Sequence, residues 1–231
     1  MTVFGQFLEF SVPVPDIRDS LNFYRRLGFS ELSVGDVRDY HYGVITDGRI
    51  AIGLHGGGID EPALSFVKND VESSVRHVAP DEDTLSFVRL GNESFHEIGL
   101  HTPDGHMLIM MEARTFSQAD LSELPAPVTG HIVEISLGCR DIDAAAEYWT
   151  GAGFTASDYP EDGMVELLVP GLRLGLRKNL PPGSMALRCA PGDLEQALQA
   201  LERENVPVRK KGGHHRVASP EGTWLELVAA G

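Results

Sequence analysis

Short runs of apolar or alternating residues, broken by Gly, Pro, Asp and Asn, dominate the chain, and stretches with apolar residues at helical spacing interrupt them at intervals. Glu9-Phe-Ser-Val-Pro-Val-Pro-Asp16 reads as a strand ending in an Asp whose side-chain oxygen can cap a following helix. Ile17, Leu21, Tyr24 and Leu27 then mark one face of that helix, and Gly28 follows where a left-handed C-terminal residue is commonly required. A strand leaves through Phe29, and two further strand-like runs close the segment, the last at Arg49-Ile-Ala-Ile-Gly-Leu-His55. The segment is therefore predicted to be one βαβββ repeat.

The same pattern returns. Glu134-Ile-Ser-Leu-Gly-Cys-Arg-Asp141 matches the first strand at an offset of 125, with Tyr148-Trp149 against Phe23-Tyr24 and Gly153-Phe154 against Gly28-Phe29. Its helix shows Ile142, Ala145, Trp149 and Ala152 on one face. Ala63-Leu-Ser-Phe leading to Asp70, and Ala186-Leu-Arg-Cys leading to Asp193, open two further repeats, each expected to begin with strand and helix. Thr102-Pro-Asp-Gly105 and Ser219-Pro-Glu-Gly222 are turns feeding the last strands, Met107–Met111 and Trp224–Val228. Thr115 to Thr129, with Pro125 and Pro127, reads as a linker. The expected organisation is residues 1–114 as one domain of two repeats, 115–129 as linker, and 130–231 as a second domain of two repeats.

Composition narrows the partners. With 34 acidic against 19 basic residues the formal charge is -15, which repels phosphate backbones and anionic membranes, so nucleic acid is not an expected partner. No apolar stretch approaches the roughly 20 residues needed to cross a bilayer, and a basic leader is absent from the first residues, so the expected compartment is the cytoplasm. Cys139 and Cys189, the two cysteines, each sit in a strand-like run and read as buried thiols.

Taken together, the strand, the Asp-capped helix with its aromatic pair, the Gly-Phe exit and the Pro-acidic-Gly turn resemble the vicinal oxygen chelate superfamily, which includes glyoxalase I, bleomycin-resistance proteins and extradiol dioxygenases. The resemblance covers nearly the whole chain. It implies an α+β fold in which paired repeats form cupped mixed sheets, so four repeats imply two cups. Repeats one with two and three with four, or one with four and two with three, are both open pairings.

The resemblance also implies metal ligands on first and last strands. Seven residues before each capping Asp stand Glu9, Ala63, Glu134 and Ala186, and four residues after the turn glycines stand Ile109 and Glu226, with Gly53 and Gly175 in repeats one and three. Glu134 and Glu226 are thus candidate ligands for a divalent metal, completed by a His such as His215 or His131. Strand alternation places Arg173, Arg177 and Arg188 on their face, with Ser136 and Trp224. Arginines there pair with the carboxylates or bind an anionic ligand. The first cup shows Glu9 among Ser11, Ala51, Ser65, Met107 and Met111, with His55 at the rim. Glu9 is a candidate general base or a structural carboxylate, and Glu134 a candidate catalytic acid or base. Tyr40-His41-Tyr42 either lines the first cavity or forms an exposed edge, and His214-His215 presents at most one ring to the second cup.

Three functions compete. One is a protein that binds a small organic, anionic ligand in a cup with a degenerate metal site and no metal cofactor. A second is a divalent-metal-dependent lyase, isomerase or dioxygenase using Glu134 and Glu226. A third is a pseudoenzyme in which one cup merely stabilises the other or forms a dimer surface. Each acts as a monomer or homodimer.

Overall fold

The structure, a computed structural model, describes residues 2–34, 38–74, 82–91, 96–114, 116, 121, 123–157, 164–211 and 213–229. Repeat one contains β1 (Gln6–Pro13), α1 (Ile17–Arg26), β2 (Ser30–Leu32), β3 (Tyr42–Thr46) and β4 (Ala51–His55). Repeat two contains β5 (Ala63–Lys68), β6 (Leu85–Arg89), β7 (Glu97–His101) and β8 (Met107–Glu112). Repeat three contains β9 (His131–Gly138), α2 (Ile142–Gly151), β10 (Thr155–Ser157), β11 (Met164–Val169) and β12 (Leu172–Arg177). Repeat four contains β13 (Met185–Ala190), α3 (Leu194–Arg203), β14 (Val208–Lys211), β15 (His214–Ala218) and β16 (Trp224–Leu227).

Among the described residues the strands form two eight-stranded sheets, in the orders β2-β3-β4-β1-β5-β8-β7-β6 and β10-β11-β12-β9-β13-β16-β15-β14. Hydrogen bonding therefore joins repeat one with two and three with four. Within a repeat the first and last strands pair parallel, as in β1 with β4, β5 with β8 and β13 with β16. The remaining strands meander antiparallel. By compactness the chain divides differently. One unit holds residues 1–9, 63–119 and 136–184, and the other 10–62, 120–135 and 185–231.

Local chemistry sets the element ends. Asp16 accepts from the backbone N–H of Arg18 and Asp19, and Asp141 from those of Asp143 and Ala144, so both act as N-caps. At the other end Gly28 has φ of 86° and Gly153 of 96°. Phe29 N–H then reaches Tyr24 O, and Phe154 N–H reaches Trp149 O, both at 3.0 Å, closing the helix with a left-handed residue. In repeat two, Asp70 accepts from Ser73 N–H at 3.0 Å and opens a 3-10 turn at Glu72–Ser74. That bond holds the Asp70 carboxyl below its ordinary range. The rest of the expected helix falls at 75–81, outside the described residues.

In the unit holding residues 1–9, 63–119 and 136–184, the core is aromatic. Phe4 meets Phe66 at 5.6 Å and Trp149 at 6.0 Å, and Trp149 meets Phe154 at 4.9 Å. In the other unit Tyr24 is fully buried between Phe23 and Phe29. Its hydroxyl donates to Glu221 Oε1 at 2.6 Å, and Ser20 donates to Oε2 at 2.8 Å, which explains why a serine sits on the buried face of α1. Cys139 and Cys189 are buried free thiols, and burial pushes both thiols up. Among the described residues, no helix is long and apolar enough to cross a membrane.

Candidate ligand-binding site

The half-sheet β13-β16-β15-β14 has one apolar and one polar face, as period-two alternation requires. Leu187, Cys189, Val217, Leu225 and Leu227 are buried on the first, in the same unit as the buried α3 residues Ala197 and Leu201. The polar face follows from the register. Arg188 lies opposite Glu226, Glu226 opposite Arg216, Arg216 opposite Arg209, His214 opposite Lys211, and Trp224 opposite Ala218.

Three of these charged groups interlock with Glu134 of β9. Arg216 donates both Nε and Nη2 to Glu226 Oε1, at 2.9 and 2.8 Å. Arg188 Nη1 donates to Glu134 Oε2 at 3.5 Å, and its Nε lies 3.9 Å from Glu226 Oε2. Charge alternates across the row as Glu134, Arg188, Glu226, Arg216. Both carboxylates are buried, at 7% and 5% exposure for Glu134 and Glu226, while the guanidinium side chains keep 19% for Arg188 and 16% for Arg216. Among the described residues the Nε of Arg188 is buried without a hydrogen-bond acceptor, an unfavourable state for a charged donor. Arg209 extends the cationic surface by placing its guanidinium 5.7 Å from the Trp224 ring centre.

The arginines named from the sequence thus part company. Arg188 reaches Glu134 and Glu226, whereas Arg173, with 53% of its side chain exposed, pairs with Glu166 at 2.8 Å. Arg177 donates from Nε to Ser136 Oγ at 2.9 Å. Arg216, which the strand count did not pick out, supplies the closest contacts to Glu226. Its place depends on the β14–β15 hairpin, and nothing in the local pattern announces it.

The histidines named as completing a metal set sit elsewhere. His215 pairs with Leu227, on the face opposite Glu226, and lines a hollow of about 320 Å³ with Leu198, Val206 and Val208. His131 Nδ1 bonds the backbone carbonyl of Asp47 at 2.8 Å. Among the described residues no three His, Cys, Asp or Glu side chains gather so as to hold a metal ion. With Glu226 forked by Arg216 and Glu134 held by Arg188, the donor set does not fit a divalent cation.

The first-half candidates His55 and Glu9 are both buried. His55 is 1% exposed rather than at a rim, with Nδ1 bonded to the Tyr40 hydroxyl at 3.0 Å and its ring 4.8 Å from Tyr42. Arg38 stands 5.8 Å from the Tyr40 ring and 6.0 Å from that of Tyr42. Glu9 is buried at 2% exposure on β1. In the same compact unit, Glu97 is buried and ion-paired with Arg89, whose guanidinium lies 4.3 Å from the Phe87 ring. A side chain at Gly99 would collide with Phe87 and Met107, so the glycine lets Phe87 lie across β7.

No family model matches the sequence, and no curated protein matches it. Solved structures do match. A catechol 2,3-dioxygenase aligns with TM-score 0.61 and 14% identity, covering 100% of this chain and 89% of that one. The Mn(II)-bound glyoxalase from Novosphingobium aromaticivorans gives TM-score 0.60 and 14% identity over 99% and 83%. A variant of homoprotocatechuate 2,3-dioxygenase from B. fuscum in complex with HPCA gives 0.67 and 12% over 96% and 70%. Extradiol dioxygenases and glyoxalases are members of one superfamily, and at these identities the likeness bears on architecture: this chain has the vicinal oxygen chelate fold.

Proposed function

We propose that the chain is a metal-independent binding protein of the vicinal oxygen chelate fold, taking a small organic anion on the polar face of β13-β16-β15-β14. The carrying observation is local charge. On a chain of net charge -15, this face gathers Arg188, Arg209, Lys211 and Arg216 against the two carboxylates Glu134 and Glu226. Trp224 adds an aromatic platform beside Arg209. Two arginines are locked on carboxylates, yet Arg188 keeps a buried donor without an acceptor, which a ligand oxygen would satisfy. Arg173 and Arg177 of β12 are a separate proposed pair of ligand-binding cations, Glu9 is a proposed catalytic acid or base, and His55 is a proposed ligand contact, none of them part of the β13-β16-β15-β14 face. The proposed domains are 1–114 and 130–231 joined by 115–129, in a cytoplasmic monomer or homodimer whose partner is a small molecule rather than nucleic acid.

Tryptophan fluorescence tests this. Trp149 is buried at 1% exposure, whereas Trp224 lies on the polar face, so titration with benzoate or phthalate should change emission in wild type and not in Trp224→Phe. Absence of any saturable response across aromatic and aliphatic carboxylates, sulfonates and phosphates would end the reading.

A second reading, a divalent-metal lyase, isomerase or dioxygenase using Glu134 and Glu226, draws on the Mn(II)-bound glyoxalase and the dioxygenases that share the fold. It requires both carboxylates to exchange their guanidinium partners for an ion. Metal analysis after incubation with manganese, iron, nickel or zinc salts separates the two readings, since only the second expects about one ion per chain.

A further inference from the structure

We infer that Arg188 is the resident cation of this site, filling with its own guanidinium the position between Glu134 and Glu226 that a bound ion would otherwise have to occupy. The inference rests on reading the polar face as a metal-free anion site and goes further, assigning the absence of metal binding to one side chain. The geometry is particular to Arg188. β13 runs between β9 and β16, so Arg188 alone of the two paired arginines touches both carboxylates, at 3.5 Å from Glu134 and 3.9 Å from Glu226. Arg216 lies on the far side of β16 and, among the described residues, grips Glu226 and not Glu134.

Span favours a guanidinium here. The backbones of β9 and β16 are two strand spacings apart, roughly 10 Å, and a small divalent ion needs oxygens at about 2.0–2.2 Å. A planar fork with donors on separate nitrogens spans the two carboxylates without requiring their oxygens to converge to that distance. Charge makes the same point. Two buried carboxylates either side of β13 require a counter-charge, and the guanidinium supplies it at every pH the fold survives, where a metal site would empty as its ligands protonate. Because both contacts are longer than an ordinary charge-assisted hydrogen bond and Nε lacks an acceptor, Arg188 retains donor capacity toward a ligand oxygen. One group thus balances the two acids and presents positive charge to the ligand.

The test compares wild type, Arg188→Ala and Arg188→Lys by thermal melting and by calorimetric titration with Mn²⁺, Zn²⁺ and methylguanidinium. Wild type should take up no ion and be indifferent to EDTA. Arg188→Ala should melt lower, be restabilised by millimolar methylguanidinium, and bind Mn²⁺ or Zn²⁺ at least tenfold more tightly than wild type. Arg188→Lys, still carrying a cation, should gain no metal affinity. If Arg188→Ala does not fold, Arg188→Gln, neutral and of similar shape, carries the same comparison. Stoichiometric metal on wild type would overturn both this inference and the metal-free reading. A metal-free wild type whose neutral variants gain neither metal nor methylguanidinium binding would overturn the inference alone.

Discussion

Tyr24 and Ser20 on α1 both donate to the carboxylate of Glu221, the acidic residue of the turn before β16. Sequence marks Tyr24 as a helix-face aromatic and Glu221 as a turn residue, and only the fold brings them together. The pairing has a price in alkali. Burial, then the Glu221 charge and its hydrogen bond, push the Tyr24 hydroxyl well above the ordinary tyrosine value. A group with a raised folded pKa contributes stability that is intact below its unfolded pKa, about 10, and is lost as pH climbs toward the folded value. Burial also moves Tyr148 up to about 12, so both phenols act in the same window. Urea midpoints should therefore fall above about pH 10, and a Tyr24→Phe/Tyr148→Phe variant should show a shallower decline. At neutral pH, Tyr24→Phe should cost about 1–2 kcal/mol through the lost bond to a carboxylate, measured in the same urea series. A variant as stable as wild type and equally sensitive to alkali would show that the Glu221 contact contributes nothing.

At the scale of elements, α1 and α2 use the same devices at both ends, an Asp cap and a left-handed glycine, because the chain carries that segment twice. This is why the helices and their exit strands were legible: cap, apolar face and Gly-Phe exit are local signals, and each copy checks the other. Gly153→Ala should cost about 1–2 kcal/mol, since a φ of 96° is strained for any residue with a Cβ. Thermal melting of that variant checks it, with Gly151→Ala, helical and with open space around it, as a control that should melt no lower than wild type. What was not legible depends on pairing. Arg216 meets Glu226 because the β14–β15 hairpin sets their register, and Glu97 is buried beside Phe87 through an edge pairing whose register shifts between Leu85 and Phe87. His55 is buried by Tyr40 and Tyr42, from a segment without clear periodicity. Alternation correctly gave Glu134, Arg188, Trp224 and Glu226 a common face, but it is blind to which cation an acid selects.

For the whole molecule, net charge and site charge oppose each other. The chain carries -15, while the polar face of β13-β16-β15-β14 carries more cationic groups than acids. An approaching anion is repelled by the first at long range and attracted by the second at contact. Salt separates the two, because exposed charges are felt over roughly 30 Å at 0.01 M ionic strength but only about 8 Å at 0.15 M. The partly buried row of Arg188 and Arg216 is screened less than the scattered surface acids. Raising salt from about 0.01 to 0.15 M should therefore speed association of a carboxylate probe, or at least not slow it, the reverse of a site on a basic protein. Stopped-flow tryptophan quenching at the two salt concentrations measures this. A several-fold slowing on adding salt would mean that the local cationic face, not the net charge, steers the ligand from a distance. The arginines would then govern capture as well as retention, and Arg209→Ala would slow association at low salt.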